Sequence, residues 1–512
     1  MRGFMPRRIM LAAALLAGLA HLLILPPFEG FDEPAHWSSL SQIAHDGRIP
    51  VYGEDRLDRA VRDYPGPHAY SGTPPFDPPF GVSYRDWTPD AGPRTARPPA
   101  AFTPDSAPNW QAQHPPLYYL LMTPVFLASQ HLNWVDHFAA LRLTSWLMAF
   151  AGLVIGVEAA CRRLPGITPG LGAVMAAWPF LFPQFFPEMA RLGNDALCLL
   201  LAALAFRQTL EMEAEGHTMR SGALLGLWLG LGLLTKAFFL PISAGVMAWL
   251  GWRWLAEKRQ AERLKAMIST ALAAGLIGGW FYVWQLAAHG TPTGGDEFIR
   301  FAEEGSVLAG LGENFSLSAL ARGLAAIAGS FAWAGTWSLA RPPEILLAGP
   351  VLLMGFVLAR CLWRARSLPP ATLLPLFMAA PMAAGLVYHL MVRIAFTGAG
   401  SGTPGWYLHI LAPALIVVVA AGWRGSRLIA PALASWSAGL LALGMTLQLS
   451  LFSGCADKGP DRRYDLSASD CLIDAAQLSA LGRPVLAAVL GLAAAGLALY
   501  AAWRACRRPE TA

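Results

Sequence analysis

The run from Arg7 to Trp37 reads RRIMLAAALLAGLAHLLILPPFEGFDEPAHW. Two arginines lead into an apolar stretch that continues to Leu25, and Glu29, Asp32, Glu33 and His36 follow at once. About 20 mostly apolar residues suffice to cross a bilayer. The stretch lacks a convincing cleavage site, so it reads as a retained first span rather than a signal peptide. Working outward, eleven further runs have span character, at roughly 137–160, 168–187, 194–210, 220–235, 237–255, 264–288, 344–361, 369–391, 405–421, 426–452 and 484–504. The expected fold is an all-α polytopic membrane protein of about 12 (11–13) transmembrane helices forming one domain over 1–512. Composition agrees. The 512 residues are 55% hydrophobic and 14% charged, where a soluble chain carries about 25% charge. That excludes a soluble enzyme, a nucleic-acid binder and a disordered protein.

With the N-terminus inside, the inner segments hold 20 of the 38 Lys+Arg, among them Arg162, Arg163, Arg253, Lys258, Arg360 and Arg364. Short basic loops mark the cytoplasmic side. Both termini are therefore expected in the cytoplasm of a bacterial inner membrane. Three segments become long outer loops, 28–136, 289–343 and 453–483. The first is crowded with proline and holds 13 Asp+Glu against 7 Arg and no Lys. Proline removes amide donors, so little regular structure is expected there beyond helices lying in the interface, such as 34–45 and 116–130. Such a loop reads as a cap over the membrane face. Cys455 and Cys471 share the third loop and could close it by a disulfide.

Five motifs place polar residues at outer span ends. In Phe28–Trp37, a carboxylate at the membrane boundary is partly desolvated, which suits a general base; Asp32 ahead of Glu33-Pro34 also reads as a helix N-cap. Gln113-His114-Pro115-Pro116-Leu117-Tyr118-Tyr119 ends the first loop and fixes His114 near the interface. In Arg191-Leu192-Gly193-Asn194-Asp195, either Asn194 or Asp195 serves as an N-cap without further function. Thr235-Lys236 places a lone cation at an outer boundary, where a lipid phosphate is a natural partner and snorkelling to water an alternative. Gly405-Trp406-Tyr407-Leu408-His409 opens a late span with aromatic-belt residues. Collected at one depth, these side chains point to a cavity open to that side.

In this order the motifs resemble those of DUF2142-type membrane proteins. More broadly, they resemble the GT-C glycosyltransferases related to protein O-mannosyltransferases and aminoarabinose transferases. The resemblance spans about residues 8–421. It implies an inverting transfer of sugar from a polyprenyl-phosphate donor to an envelope glycan, lipid or protein acceptor on the outer face. Asp32 becomes the base with Glu33 beside it. His114, Lys236 and His36 become partners of the lipid phosphate, and Arg191, Asn194, Asp195, Tyr118, Trp406 and Tyr407 line the substrate site. Trp406 stands where relatives often carry Arg. Asp296 and Glu297 compete for the role of base. No cofactor is implied; the loop acids could hold a divalent cation, but no His/Cys cluster has metal-ligand spacing. Other readings are a transporter or flippase for a lipid-linked sugar, a lipid-binding assembly partner without catalysis, and an envelope polysaccharide polymerase or ligase using Arg462 and Arg463.

Overall fold

The computed structural model describes residues 5–67, 83–88, 92–293, 305–400, 402–423, 429–456 and 474–506. Asp296, Glu297, Arg462, Arg463 and Cys471 lie outside them; Cys455 is disulfide-bonded. The expected fold class is the observed one. Among the described residues, each of the twelve apolar stretches contains helix, and eight form helices long and apolar enough to cross a membrane. The other four are shorter, more charged or broken. Prolines at 169, 179, 183 and 187 divide one of them into Pro169–Ala176, Trp178–Leu181 and Phe185–Met189, because proline has no amide donor and tends to break a helix.

Met5–Ile24 packs along Pro484–Cys506, and Trp134–Arg163 along Asp195–Glu215. Gly405–Trp423 packs against Trp134–Arg163, Asp195–Glu215 and Glu344–Trp363, with 83% of its span window buried. A run of β-branched and small residues, Ile416 to Ala421, is enclosed on all sides there, as expected of a helix apolar all round. The segment 289–343, expected as an outer loop, contains two apolar helices, Val307–Asn314 and Leu317–Ala332, bent by 109°. Each is shorter than a span, which hides the pair from a search for runs of about 20 apolar residues.

Among the described residues of the segment 28–136, the regular structure is the helices Glu33–Asp46, Arg59–Arg62 and Leu117–Ser129 and a ribbon pairing Arg56–Asp58 antiparallel with Pro104–Pro108. Ser41 and Gln42 donate to Asp58 and Asp55 at 2.5 and 2.9 Å, fastening the ribbon to Glu33–Asp46.

Gly405 sets how closely the late motif approaches Leu317–Ala332. Its amide donates to Ser330 Oγ at 2.9 Å, and a Cβ there would lie 1.8 Å from the Ile327 carbonyl oxygen. Gly405→Ala should therefore destabilise the protein by about 1–3 kcal/mol through overpacking. Gly439→Ala, where a Cβ meets open space, should leave the melting temperature unchanged or raise it. Thermal unfolding in detergent that ranks the two variants the other way would refute this packing.

Candidate active site

The motif after the first span is shaped by two backbone outliers. Phe28 and Asp32 have φ of 65° and 60°, in the left-handed region that costs a non-glycine residue energy. Asp32 occupies the cap position of Glu33–Asp46, yet its side chain makes no capping bond. The carboxylate turns away, and Oδ1 accepts from Trp110 Nε1 at 2.8 Å. Its other oxygen has no hydrogen-bond partner among the described residues, and the residue is half-buried. Burial pushes the Asp32 carboxyl above its ordinary range, while the Arg191 charge and the Trp110 bond pull the other way.

The left-handed turn sends Glu33 elsewhere. Arg142 Nε and Nη2 donate to its two oxygens at 2.8 and 2.6 Å. The amides of Gly30 and Leu192 add bonds of 3.0 and 2.9 Å. Arg142 also binds the carbonyls of Leu25 and Pro26. Both side chains are buried. Gly30 is required here, since a Cβ would lie 2.5 Å from the Glu33 carboxyl carbon. Expected beside Asp32 in the chemistry, Glu33 instead joins the end of the first span, Trp134–Arg163 and the 191–195 motif.

The remaining motifs meet around this joint. Arg191 donates to the Phe31 carbonyl at 2.8 Å and to Glu188 and Asp195 at 2.7 Å each. Lys236 Nζ reaches both Asp195 oxygens at 2.8 and 3.0 Å and lies 4.4 and 4.9 Å from the Phe238 and Tyr407 ring centres. Asp195 is therefore a counter-charge, and Asn194 makes no side-chain cap bond either; both Asn194 amide atoms are buried without a partner among the described residues. Leu117 N donates to Leu234 O at 3.0 Å, docking the His-Pro-Pro segment on the turn that bears Lys236. Tyr118 OH accepts from Gly193 N at 3.0 Å and exchanges a bond with Ser145, and Tyr119 OH meets His36 Nδ1 at 2.9 Å. Trp406 stacks on Phe31 with centroids 4.5 Å apart.

The half-buried His114 ring makes no hydrogen bond among the described residues. Burial, then the Lys236 charge, push its pKa down to about 3. Burial first, with Arg191 next, does the same to His36. Both imidazoles are neutral at physiological pH and act there as hydrogen-bonding groups rather than cations. Among the described residues, no group of three or more His, Cys, Asp or Glu could hold a metal ion.

No family model matches the chain, and no curated protein matches its sequence. Among solved structures the chain is similar to ArnT from Cupriavidus metallidurans in the apo state, at 12% identity over 97% of this chain and 77% of that one, with a TM-score of 0.46. The same protein bound to undecaprenyl phosphate gives 12%, 97%, 78% and 0.45. An Archaeoglobus fulgidus oligosaccharyltransferase tethered to an acceptor peptide gives 13% identity over 97% of this chain and 55% of that chain, with a TM-score of 0.43.

Sequence reading passed over Arg142, Glu188 and Trp110. For Arg142 a signal existed, a charge inside an apolar run, which in a membrane calls for a partner. The geometry separates the two adjacent acids by experiment. Glu33→Gln strands a buried guanidinium, which should cost about 3–5 kcal/mol and lower the melting temperature in detergent sharply, whereas Asp32→Asn should leave it nearly unchanged. A Glu33→Gln protein as stable as the wild type would contradict the structural role given to Glu33.

Proposed function

We propose that this is an integral-membrane glycosyltransferase of the GT-C type. It moves a sugar from a polyprenyl-phosphate donor to an acceptor hydroxyl on the outer face of the membrane, with inversion and with Asp32 as general base. The observation that carries the reading is the Asp32 carboxylate, in a left-handed turn at a cap position its side chain does not serve, left with one oxygen uncommitted near the charge cluster of Arg191, Lys236 and Asp195. The order of the sequence motifs, all of which meet around this carboxylate, supports the same chemistry.

In the proposed step the acceptor oxygen attacks the anomeric carbon while its proton passes to the open Asp32 oxygen. The bond from the anomeric carbon to the phosphate oxygen breaks, and its electron pair leaves with the lipid phosphate. A carboxyl pKa raised by burial makes Asp32 a better proton acceptor in a desolvated site. Lys236 and the His114 ring receive the phosphate: Lys236 as a charge, His114 as a neutral N–H donor. Asp195 and Glu188 balance Arg191 and Lys236 in the absence of lipid, so no unpaired cation stays buried between turnovers. A lipid-phosphate donor suits an outward-facing site, where nucleotide sugars are absent.

The test is transfer of labelled sugar from polyprenyl-phosphate donors to an envelope extract by protein in lipid. Asp32→Asn should lower the rate about 10²–10⁴-fold with undecaprenyl-phosphate binding retained; an unchanged rate would remove Asp32 as base and turn attention to Asp296 and Glu297. The pH profile gives a second check. The Trp110 N–H stabilises the ionised Asp32, so Trp110→Phe should raise its pKa further. A base works only when ionised, so the acid limb of kcat/KM should move to higher pH in this variant. A limb that stays put or moves to lower pH would disconnect Asp32 from the rate.

A further inference from the structure

One turn is braced far beyond what a connection needs. Residues 333–340 join Leu317–Ala332 to Glu344–Trp363, with Gly335 and Leu339 both at positive φ. Buried Gln184 accepts from the amides of Ala334 and Gly335 at 2.7 and 2.9 Å and donates to the Gly335 carbonyl at 3.0 Å. Buried Glu29 accepts from Thr336 Oγ1 at 2.6 Å and Ser338 N at 3.0 Å, and its carbonyl accepts from Trp337 N at 2.9 Å. Tyr84 OH adds a 2.8 Å bond to the same carboxylate. Trp333 Nε1 closes the turn on the Ala340 carbonyl at 3.0 Å. Within this mount Thr336 and Ser338 are buried and the Trp337 side chain is partly exposed.

Trp337 faces a row of rings. Its centroid lies 6.2 Å from Trp110 and 6.2 Å from Phe31, and Phe31 stacks on Trp406. Trp110, Trp337 and Trp406 are each half-buried, with Phe31 buried behind them. The row ends on the Asp32 carboxylate through the Trp110 bond. Tryptophans of an aromatic belt need only reach the headgroup level; here Trp110 bonds a carboxylate, and Trp337 beside it sits on a turn held by two buried polar side chains from distant segments. An indole face carries partial negative charge and attracts polarised C–H groups, and a sugar ring offers such a C–H face with hydroxyls at its edge. We propose that Trp110 and Trp337 form a carbohydrate-ring subsite beside Asp32, with Glu29 and Gln184 as the residues that position Trp337. The subsite rests on the glycosyltransferase reading for its place in a reaction, and it takes the ring of either the donor or the acceptor.

Lipid-free sugars test it apart from that reading. Full-length protein in phosphatidylethanolamine–phosphatidylglycerol nanodiscs is offered methyl glycosides of glucose, galactose, mannose and arabinose, and saturation transfer to their ring protons is read by NMR. At least one glycoside should bind the wild type, about fivefold to tenfold more weakly in Trp337→Ala, with most of the binding restored in Trp337→Phe. Undecaprenyl-phosphate binding, measured in parallel, should be unchanged in Trp337→Ala, which shows that the variant is folded. Equal saturation in wild type and Trp337→Ala, or none from any glycoside, overturns the subsite. A polyprenyl-phosphate mannose that displaces the glycoside, where undecaprenyl phosphate does not, assigns the ring to the donor; a glycoside that stays bound assigns it to the acceptor. Failure of the wild type to bind undecaprenyl phosphate would sink the lipid-phosphate reading and leave the ring subsite to be judged on the glycosides.

Discussion

The buried pair between Glu33 and Arg142 holds the site together. It ties the segment just after the first span to a helix more than 100 residues further on, at a depth where neither charge has water. Such a pair gains little over an apolar contact, so net stability is a poor explanation for it. What it gives is direction. The guanidinium fork takes both Glu33 oxygens and two backbone carbonyls, fixing where Glu33–Asp46 begins, directly after Asp32 and its left-handed turn.

A second constraint is charge balance. Arg191, Lys236, Asp195 and Glu188 form a closed set, and Lys236 is further sheltered by two rings. Under the proposed function, a site that receives an anionic headgroup and later releases it benefits from such internal counter-charges, because a buried cation without one is costly. The same logic explains why His36 and His114 are neutral: burial beside two cations disfavours a third.

The spans were legible because an apolar run of about 20 residues has few alternatives, and the motifs were legible because acids and histidines at span ends need a reason. Sequence spacing could not show that adjacent Asp32 and Glu33 part company, since that depends on a positive φ no propensity favours. It could not pair Glu33 with Arg142 or reveal Gln184 and Glu29 beneath Trp337, because these partners are distant in the chain. The bent pair at 307–332 escaped for another reason: each half is too short to register as a span. Asn194 and Asp195 were readable as caps, and their neighbours override that local rule, leaving one amide unpartnered and turning the carboxylate toward Lys236.

The central proposal is that Lys236 and His114 receive a lipid phosphate while Asp32 serves the acceptor as base. The most direct measurement is an electron cryomicroscopy structure of the protein in nanodiscs with undecaprenyl phosphate. The expected map shows the phosphate within hydrogen-bond reach of Lys236 and His114 and out of contact with the Asp32 carboxylate. A phosphate bound away from both residues, or seated directly against the Asp32 carboxylate, would contradict it.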